Sequence, residues 1–313
     1  MQTRKLGNLS VSVVGLGCNN FGGRLDQERT TLVVQAALEA GINFFDTADV
    51  YGGTKSEEFI GRALGARRPS VIVATKFGIP LDEQRKGGAH PEYIRRAVED
   101  SLKRLGTDYI DLYQLHRPDP TVPIADTLGA LEELKRAGKL REIGCSNFGV
   151  EQLREAAAAV KPGAARFVSV QNEYSLLKRD PERGVLAECA ARGIGFLPYF
   201  PLASGLLTGK YGPGAAPPPS TARLADASAP MGARFRSDRN ATVAEQLGRF
   251  AASRGHSLLE LAFSWLLAQP AVSSVIAGAT SAEQIRANAA AASWRLTADD
   301  LGEIDRIAPL EPA

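Results

Sequence analysis

The chain has 313 residues, 44% of them hydrophobic, and a formal net charge of +2. That length suits one large domain or two ordinary ones, and the near-neutral balance, without a block of Lys or Arg, argues against a nucleic-acid or membrane-surface partner. Met1-Gln2-Thr3-Arg4-Lys5 lacks the apolar core of a signal peptide, and no apolar run reaches the ~18 residues of a membrane span. Cys18, Cys145 and Cys189 are an odd count without paired spacing, so a reduced, cytoplasmic setting is expected. The scattered His and Cys make no metal motif.

In chain order, Thr3 to Leu6 and Ser10 to Val13 flank Gly7-Asn8 and read as a small hairpin. Val13 to Leu16 is a strand ending at Gly17. Glu28 to Ala40 has helical spacing and stops at Gly41. Asn43 to Asp46 is an apolar strand that turns polar abruptly, and Gly52-Gly53 allows a turn. Thr54 to Glu57 has the spacing of a capping box, with a helix through Leu64. Val71 to Thr75 is a β-branched strand ending at Lys76. Pro91 suits the first turn of a helix running to Leu105. Tyr109 to Leu115 is a strand ending at His116, and a helix follows from Ile124 to Ala137. Glu142 to Cys145 ends at Ser146-Asn147, with a helix over Glu151 to Val160. Phe167 to Val170 leads to Gln171, and Gly184 to Arg192 is helical. Gly195 to Pro198 leads to Tyr199. The stretch from Gly212 to Ser220 is too rich in Pro and Gly for a packed helix or central strand, so it reads as a loop covering part of the site. Helices follow near Thr242 to Arg254 and over Leu258 to Ala268. Val272 to Ile276 is the eighth strand, and helices over Ala282 to Ala291 and Ala298 to Ile307 complete the chain.

The first seven strand ends are spaced 25 to 40 residues apart, the length of one strand–helix unit, while the last interval of 77 holds the Pro-rich loop and an extra helix. The expected fold is therefore a single α/β domain over 1–313. It is a (β/α)8 TIM barrel with an N-terminal β-hairpin, a long loop after strand 7 and extra C-terminal helices. A doubly wound sheet fits less well, because Gly15-Leu16-Gly17-Cys18-Asn19-Asn20 lacks the third glycine of a dinucleotide fingerprint.

Such a barrel gathers its strand ends at one mouth, which would bring together Asp46, Tyr51, Lys76 and His116. Tyrosine is a weak acid at neutral pH. A nearby ammonium stabilises its phenolate, so Lys76 is expected to lower the Tyr51 pKa, with Asp46 holding Lys76. His116 can direct a carbonyl oxygen by a hydrogen bond. The set moves a proton at an oxygen atom, as carbonyl reduction requires when hydride comes from elsewhere.

The same residues fall in motifs that resemble those of the aldo-keto reductases over nearly the whole chain. These are Phe45-Asp46-Thr47-Ala48 with Tyr51-Gly52, Ala74-Thr75-Lys76, Asp111-Leu112-Tyr113-Gln114-Leu115-His116 and Gly144-Cys145-Ser146-Asn147-Phe148. Gln171-Asn172-Glu173-Tyr174-Ser175 and Pro201-Leu202-Ala203-Ser204-Gly205-Leu206-Leu207-Thr208-Gly209-Lys210 follow in the same order. The resemblance implies an NADPH-dependent reductase of aldehydes and ketones with Tyr51 as the acid–base group; because Thr280 and Gln284 are neutral where many NADPH-specific relatives carry a basic side chain, NADH is expected to be used as well, though less well. It implies that Ser146, Asn147 and Gln171 bind the nicotinamide carboxamide and that Tyr199 stacks on its ring. By the same resemblance Leu202, Ser204, Leu206 and Lys210 cover the pyrophosphate, while Gly278, Ala279, Thr280, Ser281, Gln284 and Asn288 hold the adenosine end. Gly17, Asn19, Asp46, Phe200 and Pro201 complete the implied cofactor contacts.

Taken singly, these residues also suit plainer roles. Ser146-Asn147 can cap a helix, Gln171 can satisfy buried backbone, and Ser281 with Gln284 can form a capping box. Asn20, Phe21, Val50, Phe77 and Arg117 lie beside strand ends and are expected to wall the pocket of a small-molecule carbonyl substrate. A cofactor-sensing regulatory subunit on the same fold, or an NAD(P)-dependent sugar dehydrogenase, are the other functions the motifs allow.

Overall fold

A computed structural model describes residues 1–84, 86–211, 224 and 230–311 of the chain. The Pro-rich stretch from Gly212 to Ser220, read above as a covering loop, lies outside the described residues.

The chain opens with an antiparallel hairpin, β1 (Thr3–Leu6) and β2 (Leu9–Ser12), paired from Thr3↔Ser12 to Leu6↔Leu9. Eight parallel strands follow: β3 (Val14–Gly17), β4 (Phe44–Asp46), β5 (Ile72–Phe77), β6 (Ile110–Leu115), β7 (Leu140–Ser146), β8 (Phe167–Glu173), β9 (Gly195–Tyr199) and β10 (Val275–Gly278). Their spatial order is β10-β3-β4-β5-β6-β7-β8-β9. The circle is closed where the Phe196 N–H donates to the Ala271 carbonyl at 2.7 Å and the Ser273 N–H donates to the Phe196 carbonyl at 2.9 Å. The helices are α1 (Gln27–Glu39), α2 (Lys55–Leu64), α3 (Pro91–Leu105), α4 (Ile124–Arg136), α5 (Val150–Ala159), α6 (Val185–Arg192), α7 (Pro230–Phe235), α8 (Asp238–Ser253), α9 (Leu258–Ala268), α10 (Ala282–Ala290) and α11 (Ala298–Ile307). This is the (β/α)8 barrel expected from the spacing.

Two apolar layers hold it. The strands' period-two alternation sends Phe44, Ile72, Ala74, Leu112, Val168, Leu197 and Ile276 to the barrel axis, where Leu6, Leu9 and Val11 of the hairpin join them. The opposite faces, such as Phe45, Val73, Phe77 and Tyr113, bury against the helices in a larger cluster. The hairpin turn at Gly7 (φ 59°) fits because a Cβ there would meet Val168 Cγ1 at 2.8 Å. The lower barrel is thus filled by hydrocarbon, and polar groups appear only toward the carboxyl ends of the strands.

Several local readings are corrected. Thr54 does precede α2, but in the left-handed region (φ 77°) with no side-chain cap hydrogen bond. Gly52 (φ 60°) and Gly53 (φ 62°) start a left-handed run that Thr54 completes, and Glu57 turns into the molecule instead of back to the cap. The eighth strand starts at Val275, because Val272 is used in the bridge to Phe196 that closes the barrel. β8 continues to Glu173, since Asn172 and Glu173 still pair with Pro198 and Tyr199. α8 begins at Asp238, where Ser237 Oγ accepts the Asn240 N–H. The short α7 was not expected from the sequence.

Candidate active site

Four polar side chains meet where β4, β5, β6 and β8 end. Asp46 closes β4, Lys76 is the penultimate residue of β5, and Gln114 pairs with Lys76 across the sheet. Alternation along β5 puts Ile72, Ala74 and Lys76 on the axis side. The Lys76 side chain is fully buried, and its Nζ lies 2.7 Å from Asp46 Oδ2 and 2.7 Å from the Thr47 carbonyl. Asp46 Oδ1 accepts from Gln171 Nε2 at 2.8 Å and from Gln114 Nε2 at 3.3 Å. A buried ion pair is tolerated only when its remaining lone pairs and protons are also satisfied, and here both sides are.

Tyr51 and His116 stand above this pair. Their rings are 5.9 Å apart and edge-to-face at 78°, and Lys76 Nζ lies 5.1 Å from the centroid of the Tyr51 ring. Burial works to lower the Lys76 pKa, but Asp46 and Tyr51 together raise it above its ordinary value. Burial also raises the Tyr51 pKa, while Lys76 pulls it down by its charge and a side-chain hydrogen bond. The expected lowering of the Tyr51 pKa is therefore corrected in its net direction. The attraction to Lys76 is present, but removing the phenolate from water outweighs it. Tyr51 is a phenol at neutral pH, the form that can donate a proton. Burial, Lys76 and Arg117 push the His116 pKa down to about 2, so its ring is neutral. Among the described residues His116 Nδ1 is buried without a hydrogen-bond partner.

The implied nicotinamide residues lie beside these groups. Ser146 Oγ donates to the Gln171 carbonyl at 2.7 Å. Asn147 Nδ2 donates to the His116 carbonyl at 2.9 Å and to Ser146 Oγ at 3.1 Å, while its Oδ1 accepts from the Tyr199 hydroxyl at 2.8 Å. The Asn147 amide is thus engaged within the protein, and a carboxamide would have to replace one of these partners. Gln171 gives its Nε2 to Asp46, which leaves its Oε1 for a ligand N–H.

After β9 the backbone is strained. Phe200 (φ 49°), Ala203 (φ 45°) and Ser204 (φ 56°) are left-handed without being glycine. Such conformations persist only where the surrounding structure fixes them. Ser204 Oγ is buried with no partner among the described residues. Gly205 is left-handed (φ 101°), and a Cβ there would meet Lys210 Nζ at 2.9 Å, which places that ammonium against the loop. An unused hydroxyl, a curled backbone and an ammonium fit the pyrophosphate of a dinucleotide.

Among the residues implied for the adenosine end, Gly278 closes β10, Ala279 follows it, and Ser281 Oγ accepts the Gln284 N–H at 3.4 Å at the start of α10. Gln284 Oε1 does not return to Ser281. It accepts from the Thr280 N–H at 2.8 Å and from the Thr280 hydroxyl at 3.3 Å, so only half of the capping box forms. Asn288 is buried. Gly17 and Gly278 adjoin, and a Cβ on Gly278 would meet Asn20 Nδ2 at 3.3 Å and Asn19 Oδ1 at 3.5 Å.

Not every expected pocket residue faces the mouth. Phe77 is fully buried and stacked on Tyr113 at 4.7 Å, because the alternation that turns Lys76 inward turns Phe77 outward. Phe21 is buried in the same strand–helix layer. Asn20 is tied to the Ala279 carbonyl at 3.1 Å. Val50 is half-buried and Arg117 exposed, and Arg117 helps hold down the pKa of His116. Conversely, Gln114 was missed, although it stands two residues before His116 on the same strand face. Asp49, Glu57 and Arg104 were missed as well. Asp111 of the fourth-strand motif is structural: it pairs with Arg68 Nη1 at 2.8 Å and accepts the Val73 N–H at 3.0 Å.

Fold and site together define a (β/α)8 barrel with Asp46, Tyr51, Lys76 and His116 gathered at its carboxyl-end mouth. The model of the aldo/keto reductase family matches residues 13–309, and the chain belongs to that family. It is 36% identical over 307 residues to aldo-keto reductase YhdN of Bacillus subtilis, covering 96% of this chain and 90% of that one. It is 35% identical to probable aldo-keto reductase 1 of Glycine max, covering 99% and 90% of the two chains. The holo form of aldo-keto reductase AKR11C1 from Bacillus halodurans superposes with a TM-score of 0.81 at 34% identity, covering 98% of this chain and 96% of that one. The protein is accordingly an oxidoreductase of the nicotinamide-dependent, carbonyl-reducing kind. No helix among the described residues is long and apolar enough to cross a membrane.

Proposed function

We propose that the protein reduces small aldehydes and ketones to alcohols with NADPH, Tyr51 acting as the general acid. The observation that carries this reading is the buried Lys76, shared between Asp46 at 2.7 Å and the ring of Tyr51. Bound nicotinamide would supply hydride to the carbonyl carbon. The protein's own part is at the oxygen. Neutral His116 donates a ring N–H to the carbonyl oxygen and fixes its direction. Tyr51 gives that oxygen the phenolic proton as negative charge grows on it. The ammonium of Lys76 then holds the phenolate, and Asp46 keeps the ammonium charged and in place. Asp46, Lys76 and His116 are buried and Tyr51 is half-buried, so water screens their interactions little.

Ser146, Gln171 and Tyr199 would hold the nicotinamide, and Ser204, Leu206 and Lys210 the pyrophosphate. The orphaned Ser204 hydroxyl and the Gly205 cradle support this assignment. Thr280 and the first turn of α10 would receive the 2′-phosphate through hydroxyl and N–H groups. Gln284 is neutral and turned onto Thr280, and Arg286 lies 3.3 Å from Glu283. That supports a preference for NADPH without strict exclusion of NADH. A panel of aldehydes and ketones, followed by loss of NADPH absorbance, tests the reading. Turnover of one or more carbonyls that Tyr51→Phe abolishes is the expected result, and no turnover of any would overturn it.

A further inference from the structure

Behind the site, between β4, β5 and β6 on one side and α2 and α3 on the other, lies a second cluster of polar side chains. Glu57 of α2 is fully buried. Its Oε1 accepts from the Thr75 hydroxyl at 2.6 Å, and its Oε2 pairs with Arg104 Nε of α3 at 2.6 Å. Facing this pair is Asp49, 1% exposed, from the loop that carries Tyr51. Its backbone N–H is fixed to the Lys76 carbonyl at 3.1 Å. Neither Asp49 carboxyl oxygen has a partner of hydrogen-bonding geometry among the described residues, and neither does the buried Tyr113 hydroxyl of β6.

The charges around Asp49 are unequal. Glu57 opposes its ionisation. Arg104 and Lys76 favour it, but Arg104 is engaged by Glu57, and Lys76 by Asp46 and the Thr47 carbonyl. Tyr113 and Tyr93 complete the ionisable surroundings in the same layer, and burial pushes the Tyr113 phenol well above its ordinary pKa. Of the two cations the one that takes part in the reaction is Lys76 of β5, whose carbonyl already accepts the Asp49 N–H.

We propose that Asp49 is a positioning residue for the Lys76–Tyr51 pair. Neutral, it leaves the Lys76 ammonium to Asp46 and Tyr51. Ionised, it draws on that ammonium and weakens its hold on the Tyr51 phenolate. This rests on the reading of Tyr51 as the acid–base group. Burial first, then Glu57, raises the Asp49 pKa to about 7, which puts the change of state in the working range. Above that point the phenolate is less well held, so Tyr51 gives up its proton less readily and the phenolate that alcohol oxidation needs forms only at higher pH.

The test compares the wild type with Asp49→Asn, which is close in shape and permanently neutral. Log kcat/KM for alcohol oxidation is followed from pH 5 to 10 at fixed ionic strength. The alkaline transition assigned to Tyr51 should move to lower pH in the variant, because the negative charge that opposed the phenolate is gone. A residue with a merely structural role would lower the profile without moving it. Turnover with superimposable or merely scaled profiles overturns the inference alone. No turnover by the wild type with any carbonyl or alcohol overturns the reading it rests on, and the inference with it. Should the Asn variant fail to fold, Glu57→Gln supplies the comparison. Removing that carboxylate makes Asp49 ionise earlier, so the wild-type inflection near pH 7 should move to lower pH, and an unmoved inflection overturns the inference.

Discussion

Replacing Lys76 by Met removes the cation at the centre of the site and keeps its hydrocarbon volume. Asp46 is then left as a buried carboxylate that has lost a contact at 2.7 Å. Breaking a buried ion pair by deleting one partner typically costs about 3–5 kcal/mol. Here Asp46 keeps the amide of Gln171 at 2.8 Å and, more weakly, that of Gln114 at 3.3 Å. Those donors offset part of the loss, which points to the lower end, about 3 kcal/mol at pH 8. The loss should shrink as pH falls, because protonating the orphaned carboxylate relieves it. Adding Asp46→Asn removes the uncompensated charge and should restore all but about 1 kcal/mol, while activity stays low because nothing holds the Tyr51 phenolate. Equilibrium unfolding in urea at pH 5 and pH 8, for the wild type, the single and the double variant, measures each quantity. Lys76→Met as stable as the wild type at pH 8, or a double variant no more stable than the single, would refute the reasoning.

Tyr51→Phe removes the phenolic proton and should lower kcat for carbonyl reduction by at least ~100-fold, with cofactor affinity by fluorescence titration nearly unchanged; near-normal turnover would remove Tyr51 from the mechanism. The kcat/KM ratio of NADPH to NADH should lie below ~100, since one missing charged hydrogen bond of about 1.5–3 kcal/mol is worth roughly 10–100-fold. Thr280→Arg should raise that ratio, and a wild-type ratio above ~1,000 would mean that another basic group meets the phosphate. His116 is neutral when folded, with its pKa held down to about 2, and takes up a proton when unfolded. The unfolded state therefore binds more protons between pH ~6.5 and pH ~2, so stability is lost as pH falls through that window. His116→Gln should lack that part of the acid loss in thermal unfolding at graded pH, and an identical acid slope would count against a buried neutral ring. Asp49 works in the opposite sense. Its folded pKa of about 7 is raised, so its contribution to stability is full below pH ~3.9 and is lost as pH rises through 7. Asp49→Asn should flatten the fall in melting temperature between those limits.

The barrel was legible in the sequence because each strand–helix unit repeats at nearly constant length, and because β-branched runs end abruptly in polar residues. Asp46, Lys76 and His116 stand where those runs end, and parallel strands of one barrel have no other mouth to point to. Period two along β6 would also have singled out Gln114, two residues before His116. What tertiary structure decided is which polar residues share a dry space. Glu57 has the spacing of a capping residue, yet a left-handed turn at Thr54 takes the cap away and Thr75 and Arg104, distant in the chain, claim its carboxylate. Phe77 lies next to Lys76 in sequence but on the opposite face of the sheet, against Tyr113. The pKa of Tyr51 likewise depended on two opposed quantities. Attraction to Lys76 could be read from residue types, but burial, which outweighs it, exists only once the chain has folded around the ring.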